Sequence, residues 1–140
     1  MTRNFAGCLV ILIGLLIGHP AASAQEPDTL KSIISRQIEA FRTNDAPAAF
    51  GFASQQLQTM FQSPDRFMEM VRRQYYPVFR PDKFSFGQTS LQSTGRPVQI
   101  VTIVDQRGRT WTATYVFEQH RDGSWRIAAV HLEKLAGSSA

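Results

Sequence analysis

Between Leu30 and Tyr75 the apolar residues of this chain recur every three or four positions, and from Phe84 onward they alternate. The first period is that of a helix with one buried stripe, the second that of a strand with one buried face. Leu30, Ile33, Ile34, Ile38 and Phe41 make one helical stripe, with Lys31, Arg36, Glu39 and Arg42 mostly off it. Asp28 stands before the stripe and is placed to cap its helix. Thr43-Asn44-Asp45 ends that helix, and Asp45 caps a second one whose first turn tolerates Pro47. Ala46, Ala49, Phe50 and Ala53 give it a small-residue face. Gly51 costs up to about 1 kcal/mol relative to alanine and predicts that this helix is short. Leu57, Met60 and Phe61 fit one further turn. Ser63-Pro64 then reads as a cap and a first helical residue, followed by Phe67, Met70, Val71 and Tyr75 on one stripe. Tyr76-Pro77 stops the helix, because the residue before a proline is pushed out of the helical region.

The strand-like half divides at three turns. Phe84, Phe86 and Gln88 share a face but Leu91 has the other parity, which a bulge at Gly87 would correct. Ser93 to Pro97 is a turn. Val98 to Val104 is apolar on both faces and reads as a central strand. Gln106-Arg107-Gly108 is the next turn. A two-residue loop here puts Val104 opposite Trp111, whereas a three-residue loop with Gly108 left-handed puts Ile103 there. In the last hairpin Trp111, Ala113, Tyr115 and Phe117 form one face. If Asp122-Gly123 is a two-residue loop, Phe117 faces Ala128, Tyr115 faces Val130 and Ala113 faces Leu132, while Val116 faces Ala129 and Thr114 faces His131. Val116, Ile127, Ala129 and Trp125 then make the opposite sheet face rather apolar, and a second copy could cover it.

Composition adds an address. Arg3, the apolar run from Leu9 to Ile17 and the small-residue site Ala22-Ser23-Ala24 form the pattern of a cleaved secretory signal over residues 1–24, leaving one domain over 25–140. Export to the periplasm or the extracellular space is expected, with no stable membrane span after cleavage. Cys8 is the only cysteine and would leave with the leader, so no disulfide holds the domain. Net charge is +4, and removal of Arg3 leaves 14 basic residues against 11 acidic ones. Without a basic stripe, nucleic acid is not an expected partner.

Helical segments followed by a curled four-stranded antiparallel sheet make an α+β roll with the shape of a cone. IISRQIEAFRTNDAPAAFGFAS, FQSPDRFMEMVRRQYYPVFRP and the closing DGSWRIAAVHL resemble the nuclear transport factor 2-like superfamily, and within it a bacterial family of unknown function, domain of unknown function 4864. The resemblance covers nearly all of residues 25–140. It implies three helical segments on a concave sheet that can enclose a pocket, and it implies no chemistry, since that fold hosts isomerases, dehydratases and plain binding modules.

The residues supply no catalytic set. Ketosteroid-isomerase-like enzymes use a buried carboxylate with a tyrosine. Here the carboxylates fall at caps (Asp28, Asp45, Asp65), at turns (Asp105, Asp122) or at the outward strand position Glu118. His120 and His131 lack a third ligand at metal-binding spacing, so no metal and no cofactor is expected. Aromatic residues remain. Tyr75 and Tyr76, at a helix end, could turn a hydroxyl into the mouth of the cone, and Phe86, Trp111 and Tyr115 complete a candidate pocket for a small apolar ligand or a peptide. The expected function is an exported binding module that pairs with a second copy through its sheet. The alternative is an isomerase- or dehydratase-like enzyme acting on a small apolar substrate in the same pocket.

Overall fold

A computed structural model describes residues 26–137. The expected leader, residues 1–24, lies outside the described residues. Five helical segments precede the sheet: α1 (Glu26–Arg42), α2 (Ala46–Gly51), α3 (Gln55–Phe61), α4 (Pro64–Gln74) and α5 (Tyr76–Phe79). Asp45 and Ser63 cap α2 and α4 as expected, accepting from the Ala48 and Arg66 amides. Asp28 does not cap α1, because it lies within the helix, which is described from Glu26 onward. The further turn expected at Leu57, Met60 and Phe61 is the separate helix α3, and the one-turn α5 is additional. Ser54 caps α3 by accepting from the Leu57 amide, and Pro77, after ending α4, occupies the first turn of the one-turn α5.

The four strands are β1 (Lys83–Leu91), β2 (Pro97–Val104), β3 (Thr110–Gln119) and β4 (Trp125–Lys134), antiparallel in the order β1-β2-β3-β4. Helices followed by an open antiparallel sheet make an α+β fold. Two bulges bend the outer strands and curl the sheet, one between Phe86 and Thr89 and one where β4 passes from Ile127 to Ala129. The three hairpins share one loop design. Gln92 with Arg96, Asp105 with Arg109 and His120 with Ser124 close loops whose last residue is a left-handed glycine, Gly95, Gly108 or Gly123. Ile103 is therefore the partner of Trp111.

The last hairpin departs from the two-residue loop expected for it. Its loop is Arg121-Asp122-Gly123, and Phe117 pairs with Ile127 rather than Ala128. The bulge at Ala128 then restores the expected pairs of Val116 with Ala129, Thr114 with His131, Tyr115 with Val130 and Ala113 with Leu132. Ile127 consequently sits in the core, 3% exposed, and Trp125 packs against it. The outer sheet face thus loses two of the four apolar residues expected there.

The core lies between α1 and the inner sheet face. Leu30, Ile34, Ile38 and Phe41 meet Val101, Ile103, Ala113, Tyr115 and Phe117, all essentially sealed from solvent. Each such side chain contributes roughly 1.5–3 kcal/mol of burial free energy. Arg80 fastens the helical layer. Its guanidinium donates to the carbonyl of Phe41 at the end of α1 and to Asn44 Oδ1 at 2.8 Å.

Candidate functional site

A cavity of about 410 Å³ opens where the helical layer meets the β4 edge of the sheet, within the ~300–1,000 Å³ range of small-molecule sites. Its floor is Ile127 to Val130 of β4 and Phe41 of α1. Its walls are Leu57, Met60 and Phe61 of α3, and Phe67, Met70 and Val71 of α4. The bulge at Ala128 lines the floor, so the feature that corrects the register also shapes the cavity. Two methionines and three phenylalanines make a deformable apolar lining. The α3 wall has no buried residue. It is held by its cap, by bonds from Gln58 to the Phe50 and Ala53 carbonyls, and by Phe61 stacked edge-on against Phe67 at 5.8 Å.

Polar groups in the lining are few. Gln37 of α1 is 3% exposed, and its Nε2 donates to the Ala49 carbonyl at 3.1 Å. With Nε2 held there, Oε1 is the acceptor that the amide has to offer the cavity. Gln74 and Tyr75 stand at the end of α4, and among the described residues no charged side chain lines the wall.

Of the five aromatic residues expected to form a pocket, Tyr75 lines this one. Tyr115 is fully enclosed in the core, its hydroxyl has no hydrogen-bond partner, and burial pushes its ionisation upward. Trp111 is half-buried and donates its indole N–H to Asp105 at 2.9 Å. Phe86 packs edge-on against Phe84 at 5.8 Å. Tyr76 is 49% exposed and lies against Phe79. These four residues are not in the lining that includes Tyr75. Leu57, Met60, Phe61 and Met70 were legible as helix-forming residues, but nothing in their spacing reports a gap between α3, α4 and a distant strand.

Asp105, in the β2–β3 turn, is the buried carboxylate among the described residues. Burial pushes its pKa up, but bonds from the Trp111 indole, the Arg109 side chain and the Arg107 and Arg109 amides outweigh it and bring the value to about 2. A carboxylate already ionised and holding four donors is suited to organising a turn, and ill suited to taking a proton near neutrality. Among the described residues no three His, Cys, Asp or Glu side chains cluster as metal ligands, and no helix is long and apolar enough to cross a membrane. No curated protein and no solved structure matches the chain. The family model described as Domain of unknown function (DUF4864) matches residues 23–140, and the chain belongs to that family.

Proposed function

We propose that the protein is an exported binding module of the nuclear transport factor 2-like type, which holds a small apolar ligand beside β4 and associates with a second copy through its sheet. The observation that carries the binding reading is the cavity itself: an apolar recess of about 410 Å³ with, among the described residues, no charged group and one deep amide, Gln37, in its lining. Such a lining suits a neutral molecule with an apolar body and a single hydrogen-bond donor. An enzyme in this cavity would need a carboxylate within reach of the Tyr75 hydroxyl, and among the described residues the lining holds none. Export is supported by the leader pattern over residues 1–24, and an intact mass beginning at Gln25 in protein recovered from outside the cytoplasm would test it.

The binding reading is tested with N-phenyl-1-naphthylamine, a neutral apolar fluorophore. Saturable binding with blue-shifted emission is expected. Met70→Trp, which fills the recess from the α4 side, is expected to weaken it at least tenfold, about 1.4 kcal/mol, with circular dichroism unchanged. Amides of α3 are expected to exchange faster than those of α1 and to slow when the probe binds. Equal affinity in wild type and Met70→Trp would overturn the assignment.

A further inference from the structure

We propose that two copies of the chain join edge to edge through β4, pairing Val130–Lys134 of one copy with the same stretch of the other around a two-fold axis at Leu132. The proposal rests on the self-association part of the reading above, and Val130 is the residue of the stretch that also lines the cavity.

β4 is an edge strand, and its outward main chain can be assigned residue by residue. The Ile127 amide donates to the Phe52 carbonyl and its carbonyl accepts from the Ser54 amide, so Ile127 turns its main chain away from β3. Alternation along an antiparallel ladder, interrupted once by the bulge at Ala128, then directs Ala129, His131 and Glu133 toward β3. The donors and acceptors of Val130, Leu132 and Lys134 face outward. Among the described residues these groups meet no main-chain partner on that side. An open edge of this kind is a template for another strand.

The open stretch has fixed ends. The Phe52–Ser54 segment occupies the edge at Ile127, and β4 finishes at Lys134, beyond which the Leu135 amide returns to the Thr110 carbonyl. Two-fold antiparallel pairing over the whole stretch sets Leu132 opposite Leu132, and it provides about six new main-chain hydrogen bonds. The same register sets His131 opposite Glu133 twice, once on each side of the axis. Both side chains are exposed on the outer sheet face, where their β3 neighbours are the uncharged Thr114 and Thr112. Sliding the pairing by two residues in one direction opposes His131 to itself, and in the other opposes Glu133 to itself. The register that uses all of the open edge is thus also the one in which each Glu133 carboxylate faces the His131 imidazole of the other copy and not a second carboxylate. Carboxylates directly opposite each other would destabilise the register that pairs Glu133 with itself.

The contact is short, so a dimer dissociating at roughly micromolar concentration is expected. Sedimentation of the full chain over a concentration series tests it. The expected result is a reversible dimer that His131→Glu, which sets carboxylates opposite Glu133, weakens about tenfold. Adding Glu133→Lys to that variant restores opposite charges and should restore the dimer. Thr102→Arg, on the outer face of β2, should leave it intact. A wild-type monomer throughout would remove self-association altogether. A dimer broken by Thr102→Arg and indifferent to His131→Glu would keep self-association and overturn the edge.

Discussion

The indole of Trp111 donates its N–H to the carboxylate of Asp105 at 2.9 Å, linking the first inward residue of β3 to the turn that precedes it. The other Asp105 contacts are the Arg109 guanidinium at 2.7 Å and the Arg107 and Arg109 amides at 2.9 Å. One side chain thus closes the loop around the left-handed Gly108 and orients the aromatic residue that opens the strand. The folded-state pKa of Asp105, about 2, lies below its ordinary value of 3.8. The group therefore contributes its full stability above about pH 4 and loses it as pH falls through about 2, a difference of roughly 2 kcal/mol. Asp105→Asn presents an amide to donors that need acceptors and should cost about 2–3 kcal/mol at neutral pH. Urea unfolding followed by tryptophan emission checks both. The variant should lose less stability than wild type between pH about 4 and about 2.

Gln99 holds the β1 bulge. Its amide nitrogen donates to the Gly87 carbonyl at 3.0 Å and the Ile100 carbonyl at 2.8 Å, and its oxygen accepts from Thr89 at 2.7 Å. The side chain is fully buried. Gln99→Leu keeps the approximate volume, leaves those groups without partners and is expected to cost about 2–3 kcal/mol. Gly87→Ala probes the same place differently, since the added methyl would meet Ile100 Cγ2 at 3.3 Å. A smaller loss, about 1 kcal/mol, is expected there because a methyl contact can relax. Chemical denaturation of both variants measures the order, and equal losses would count against the clamp.

Tyr115 offers a contrast. Its hydroxyl is buried without a partner, so Tyr115→Phe removes an unsatisfied polar atom and keeps the ring. A gain of about 1 kcal/mol is expected. Tyr115 also lies outside the lining of the cavity, so affinity for the apolar probe should not change. A loss of stability in Tyr115→Phe would mean that the hydroxyl has a partner.

Helix stripes, the Asp45 and Ser63 caps, strand order and the glycine turns were legible in the sequence because each is fixed by residues within one or two turns of chain. The 3.6 and 2.0 periods and the left-handed preference of glycine are local properties. The last hairpin was not, although Asp122-Gly123 marked its place. A two-residue loop without a bulge would turn Ile127 out to solvent, and a three-residue loop without a bulge would bring His131 and Glu133 to the inner face. Only the three-residue loop with the bulge at Ala128 places Ile127, Val130 and Leu132 together against the core. Burial of apolar side chains by distant helices decides between loops whose local energies are close.

The cavity belongs to the same class of fact. The sequence alone determined that Tyr75 ends a helix and that Leu57, Met60 and Met70 lie on helices. Whether those side chains fill a space or surround one was decided when α3 and α4 met β4 across most of the chain, because a void is the shape left by elements whose lengths, bulges and crossing positions are set independently. The outward turn of Val130, Leu132 and Lys134 follows the same logic, since one added residue at Ala128 shifts which main-chain groups the sheet keeps and which it leaves open.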